Sequence, residues 1–188
     1  MELKGLKTKF LGRNVLFFSS IDSTQKKVKS IKQPENGTLV IADNQVAAIG
    51  THERKWYTGT GKNIAMSFVL FPDCKIQKME KITTEIAECL VKVLKKMTNF
   101  EFEVKEPNDI FYQGQKVAGI LTETVCKGEN IRKIYIGIGL NVNQEKFPGN
   151  LAEIATSLKK VCGKAFEREE VIVAFLNEFE KYYETFIQ

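Results

Sequence analysis

The apolar positions of this chain change period several times, and each change predicts an element. Residues 14–18 (Asn-Val-Leu-Phe-Phe) form a short apolar run that predicts a buried strand. Asp22 and Ser23 offer N-caps to a helix running to about Ile31. The Pro34-Glu35-Asn36-Gly37 turn leads into an apolar strand over 38–42, and residues 63–70 read as another. From about Lys78 to Met97, apolar residues fall at Ile82, Ile86, Cys89, Leu90, Val93, Leu94 and Met97, the spacing of a four-turn helix. Residues 100–104 predict a strand, 109–126 a hairpin turning near Gln113-Gly114, and 133–138 a further strand. Helices over 151–161 and 168–187 close the pattern. The second carries Val171, Ile172, Phe175, Leu176, Phe179, Tyr183 and Phe186 on one stripe.

This order, with its hairpins, excludes a purely parallel sheet. The expectation is an α+β (mixed α/β) domain, a mixed and largely antiparallel sheet packed against helices. A length of 188 residues fits one domain, and a hydrophobic share of 43% is enough to build a core. No apolar run approaches the ~18 residues of a membrane helix, and no signal stretch opens the chain, so a cytoplasmic protein without a membrane partner is expected. The net charge of +5 sits largely in pairs such as Lys26-Lys27 and Lys95-Lys96, which read as solvated helix faces and not as a nucleic-acid surface. Cys74, Cys89, Cys126 and Cys162 form no CxxC pair, and His52 is the sole histidine, so no metal site is expected and the cysteines read as reduced core thiols.

Five stretches could carry chemistry. Residues 43–62 have no sustained period, and a loop of about 20 residues inside a compact domain is usually functional or disordered. Within it, Arg54-Lys55-Trp56 joins cations to an indole, a combination suited to a nucleotide; a loop anchored by one buried tryptophan is the competing reading. Lys116 stands early in an apolar strand, where an ammonium is costly unless it meets an anion or reaches solvent at a sheet edge. Asn108 and Asp109, after Pro107, stand at a strand entrance or in an Asx turn. In Ile136-Gly137-Ile138-Gly139-Leu140-Asn141, two glycines at strand period clear one face for a ligand or for close packing. Ser23-Thr24-Gln25 reads locally as a helix cap. There is no Walker loop: Gly59-Thr60-Gly61-Lys62 is followed by Asn63 and lacks the upstream glycine.

Together, in order and spacing, these stretches resemble the biotin protein ligases. Ser23-Thr24-Gln25 is similar to the family's Ser-Thr-Asn, and Gln45 to a glutamine preceding its adenylate-binding loop. Arg54-Lys55-Trp56 resembles the end of that loop, and Gly61-Lys62-Asn63 the Gly-x-Asn that follows. Lys105-Glu106-Pro107-Asn108-Asp109 resembles Lys-Trp-Pro-Asn-Asp, and Lys116-Val117-Ala118-Gly119-Ile120-Leu121 the catalytic Lys-Leu-Ala-Gly-Ile-Leu. Gly137 to Asn143 and Ala155-Thr156-Ser157-Leu158 also match. The resemblance covers roughly residues 14–187.

The resemblance implies a single catalytic domain over 1–188, without the repressor type's N-terminal DNA-binding domain and without a small C-terminal β domain. It implies ATP-dependent formation of biotinyl-AMP, with Mg²⁺ accompanying ATP, then transfer of biotin to a lysine of a biotin carboxyl carrier protein. It assigns catalysis to Lys116, biotin to Ser23, Thr24, Gln45 and Gly119, and the nucleotide to Arg54, Trp56, Asn108, Asp109, Lys116 and Asn141. A homodimer through an edge strand is compatible with the pattern. Where the family loop reads Gly-Arg-Gly-Arg-x-Gly-Arg-x-Trp, this chain has Ala48-Ile49-Gly50-Thr51-His52-Glu53-Arg54-Lys55-Trp56, short of two arginines and two glycines, and Glu106 replaces the family tryptophan. The alternatives are a lipoate or octanoate ligase or transferase, and a non-catalytic biotin-binding homologue.

Overall fold

The computed structural model describes residues 2–51 and 56–187. In chain order the elements are β1 (Val15–Phe18), α1 (Thr24–Ser30), β2 (Leu39–Ala42), β3 (Ile64–Leu70), β4 (Cys74–Lys75), α2 (Ile82–Thr98), β5 (Glu103–Lys105), β6 (Asp109–Tyr112), β7 (Gln115–Lys127), β8 (Asn130–Leu140), α3 (Leu151–Ile154), α4 (Leu158–Cys162) and α5 (Arg168–Ile187). The strands form one eight-stranded sheet in the order β1-β2-β3-β8-β7-β6-β5, with β4 also on β8. Among the paired strands of the described residues only β1–β2 is parallel, and α1 is its crossover. The expected α+β, largely antiparallel architecture is therefore present.

Strand alternation divides the molecule. On β8, Ile134, Ile136, Ile138 and Leu140 face the main core with Ile86, Leu90 and Leu94 of α2 and Phe175 and Phe179 of α5. The intervening residues face the other way. There Tyr135 joins Val40, Val69 and Val28 of α1 in a small second cluster, and beyond it stand Gly137 and Gly139. The glycine side of the sheet is thus covered by α1 at one end and, at the other, bare of side chains from the strands themselves.

Several boundaries differ from the sequence expectation. Residues 15–18 are an edge strand that is only half-buried, with Phe17 39% exposed, because β2 covers one side alone. The helix expected from Lys78 starts at Ile82, after a single 3-10 turn at 76–79, and ends on Asn99 in the left-handed region (φ 61°). The strand expected at 100–104 starts at Glu103. The helix expected at 151–161 is two short ones, broken where Ala155 turns extended. The Thr156 amide donates to the Lys116 carbonyl at 2.9 Å, and Ser157 donates to the Gln144 carbonyl at 2.6 Å while capping α4. These tertiary bonds outweigh the local helical period. Of the cysteines expected in the core only Cys89 is buried, and burial pushes its thiol up to about 12; Cys126 is exposed. Phe186 lies where no side chain is described. No helix among the described residues is long and apolar enough to cross a membrane.

Residues before β1 carry no periodic signal, yet they are tied down. The buried Glu180 carboxylate accepts from the backbone amides of Lys9, of Phe10 at 3.2 Å and of Leu11 at 2.8 Å. Three N–H donors replace the water a buried carboxylate loses.

Candidate active site

The bare end of the glycine face is the floor of a cleft. Gly119 of β7 pairs directly with Gly139 of β8, and Leu121 with Gly137, so three glycines on adjoining strands leave the backbone uncovered. The floor serves close approach: a Cβ on Gly139 would stand 2.6 Å from Trp56 Nε1, and one on Gly119 3.3 Å from Lys116 Nζ.

One end of the cleft is polar and neutral. The Thr24 amide and hydroxyl both donate to Gln45 Oε1, at 2.8 and 3.1 Å, and the Thr24 and Ser67 hydroxyls share a hydrogen bond at 2.8 Å. Gln45 donates in turn to Thr58 at 3.4 Å. Ser23 is the N-cap of α1, accepting from the Lys26 amide at 3.4 Å. The cap anticipated from the sequence and the cleft wall are thus the same residues.

The other end is charged. β6 and β7 are in regular register at Asp109–Gly119 and Ile110–Ala118, then slip so that Phe111 faces Lys116. Val117 is the extra residue of this bulge, and a bulge re-aims its neighbours. The Lys116 carbonyl is consequently free to accept from Thr156, outside the sheet. Its side chain runs across Gly119, with Nζ 2.6 Å from Asp109 Oδ1 and 5.5 Å from the Trp56 ring centroid. The Lys116 side chain is 31% exposed and lines the cleft with its ammonium on an anion, so the alternative of an edge lysine reaching bulk water does not describe it. Asn108 closes the corner, exchanging hydrogen bonds with the Ile120 backbone at 2.8 and 3.0 Å; the Glu106-Pro107 peptide just before it is cis.

Trp56 lies over the glycines with its indole N–H buried and unpaired among the described residues. The cavity left is about 60 Å³, room for on the order of four waters. A larger ring enters only if the indole moves.

Of the residues expected at the site, Ser23, Thr24, Gln45, Trp56, Asn108, Asp109, Lys116 and Gly119 all line this one cleft. Arg54 lies outside the described residues. Asn141 does not line the cleft. It is buried beside it, its amide donating to Val117 at 2.9 Å and its carbonyl accepting from Leu158 at 3.0 Å, which locks β8 to the bulge and to α4. Asn63 likewise lies outside the lining and accepts from the Val142 amide at 3.1 Å. Gln25 and Ser67 are among the lining residues to which the sequence assigned no role. Ser67 had a signal, as the sole hydroxyl in the otherwise apolar β3.

The biotin/lipoate A/B protein ligase family model matches residues 17–141. The Bifunctional ligase/repressor BirA of Bacillus subtilis is 38% identical over 97% of this chain and 58% of its own length. The Biotin--[acetyl-CoA-carboxylase] ligase of Paracoccus denitrificans is 28% identical over 86% of this chain and 69% of its own. Among solved structures, the biotin protein ligase of Aquifex aeolicus in complex with biotin and ATP superposes with a TM-score of 0.81, at 29% identity, over 93% of this chain and 72% of that one. The chain thus spans 58% of the Bacillus relative's length. On the family match and on the cleft just described, the chain belongs to the biotin/lipoate A/B protein ligase family.

Proposed function

We propose that this chain is the catalytic domain of a biotin protein ligase, which joins biotin to AMP and passes it to a lysine of a biotin carboxyl carrier protein. The observation that carries the reading is the inward-facing Lys116 ammonium, held beside Asp109 over a glycine floor whose far end is neutral and hydrogen-bonding. A ureido ring wants paired donors and acceptors in a slot otherwise apolar, which Ser23, Thr24, Gln45 and Ser67 supply together with Trp56 and Leu121. A carboxylate tail laid along Gly119 then ends at Lys116.

In the first step a carboxylate oxygen of biotin bonds to the α-phosphorus of ATP, and the bond to the bridging oxygen breaks, releasing pyrophosphate. Two anions must approach, so a fixed positive charge at the meeting point lowers the barrier most. Lys116 provides it, with Asp109 holding the ammonium in place until an anionic ligand competes for it. Asn108 anchors the strand entrance, and the Trp56 face suits a flat base or an alkyl chain. Magnesium enters with ATP, as part of the nucleotide substrate. In the second step the acceptor lysine's amine attacks the anhydride carbonyl, loses a proton, and AMP departs.

Ile49 and Thr51 line the cleft where the resembling loops carry arginine. Biotinyl-AMP accordingly escapes faster here than from a relative with the full loop; equal retention on a filter refutes this. The function is tested by pyrophosphate release from ATP, with biotin and with lipoate, followed by mass spectrometry of a carrier domain. Release and labelling with biotin are expected. Activity with lipoate alone assigns the chain to the lipoate branch, and binding without release makes it a non-catalytic biotin binder.

A further inference from the structure

Gln25 is 7% exposed, lines the polar end of the cleft, and is hydrogen-bonded on one side only. Its Nε2 donates to Glu123 Oε2 at 2.9 Å and to the Tyr135 carbonyl at 3.3 Å. Both partners accept and cannot donate, so the amide has one permissible orientation: turned over, it would set oxygen against two oxygens. Glu123 is itself held as an anion. Burial pushes its carboxyl up, but hydrogen bonds from Lys29 and Gln25 and the Lys29 charge together hold it below its ordinary range, and Lys29 Nζ stands 2.8 Å from Oε1.

The result is a buried acceptor with nothing to accept. Gln25 Oε1 has no hydrogen-bond partner among the described residues. It sits against the floor, 2.8 Å from where a Cβ on Gly137 would be, beside Ser67. The rest of the polar end is adaptable or already filled. The Thr24 and Ser67 hydroxyls can each donate or accept, and Gln45 Oε1 already takes two bonds from Thr24. Among the described residues of this polar end, Gln25 Oε1 is the acceptor whose polarity is both fixed and unanswered; the unpaired Trp56 N–H, a donor, lies further along the floor over Gly139.

We propose that Gln25 is a specificity-determining residue of this cleft, an obligatory acceptor for an N–H of the bound ring, with Lys29 and Glu123 as positioning residues that fix its amide. It rests on the biotin reading above and sharpens it. An acid with the same tail but a ring without N–H leaves Oε1 buried and unpaired, and sites built around such a bond reject the analogue strongly. Biotin carries two ring N–H groups. Lipoate has the matching acid tail and none, and desthiobiotin keeps both N–H groups but lacks the sulfur.

The test is calorimetric titration of the full chain with biotin, desthiobiotin and lipoate, in wild type, Gln25→Leu and Glu123→Gln. Gln25→Leu is expected to narrow the biotin-over-lipoate preference at least about tenfold, with the biotin-to-desthiobiotin ratio unchanged. Glu123→Gln can donate as well as accept, freeing the Gln25 amide to turn, and is expected to narrow the same preference several-fold. Since Glu123 is partly exposed, that variant carries the test if Gln25→Leu does not fold. A folded Gln25→Leu that keeps the wild-type preference overturns the proposal and leaves the ligase reading standing. A wild-type chain that takes up no biotin overturns both, and shows it before any variant is made.

Discussion

On one face of β8, Ile134, Ile136, Ile138 and Leu140 are buried in one core with residues of α2 and α5; on the other, Tyr135 gives way to Gly137 and Gly139. The same strand therefore serves two demands in alternation. The first face is closed by apolar side chains, each worth about 1.5–3 kcal/mol when buried. The second gives up that burial and presents backbone, one ammonium and unpaired polar atoms. Stability and ligand contact are thus separable here by odd and even residue number, and variants can pull them apart.

The largest expected effect is on the bare face. Lys116→Ala should cut biotin-dependent pyrophosphate release about a thousandfold, ~4 kcal/mol, while the melting temperature moves little; unchanged release removes Lys116 from the chemistry. On the packed face, Ile136→Ala should lower stability by about 3 kcal/mol and the melting temperature by about 9 °C, with biotin affinity per folded molecule unaltered. Loss of affinity without loss of stability would break the division of faces. Gly139→Ala places a methyl 2.6 and 2.7 Å from Nε1 and Cζ2 of Trp56. The indole must lift, so the emission of this sole tryptophan should shift to the red and biotin binding should weaken about tenfold (~1.4 kcal/mol). The smallest effect concerns Glu123. Its carboxyl lies below its ordinary value of 4.5 when folded, so its contribution is full above pH 4.5 and is lost as pH falls through the folded value. With both partners partly exposed the contribution is ~0.3 kcal/mol, read as a flatter acid limb of the stability profile in Glu123→Gln.

The hydrophobic period carried the fold where packing and local preference agree, as in α2 and β8. It failed where a tertiary bond decides. Ala155 and Thr156 keep a helical pattern but pair with Lys116, which breaks the helix. The N-terminal segment has no period at all and is held by a carboxylate from α5, 169 to 171 residues away. At the site, residue types and spacing pointed to eight of the lining residues through resemblance. The orientation of Gln25 was not legible, because it is set by Glu123, 98 residues on. Asn141 had the residue type of a ligand-binding asparagine, but its place behind the bulge gives its backbone a structural task.

Which face of the sheet takes the vitamin is decisive, and a crystal structure of the chain with biotin and ATP measures that directly. The expected density lies over Gly119, Gly137 and Gly139, with the acid group within hydrogen-bond reach of Lys116 Nζ and the Trp56 indole displaced. Ligand seated anywhere else, or Lys116 still closed on Asp109 with the slot unchanged beneath bound ligand, contradicts it.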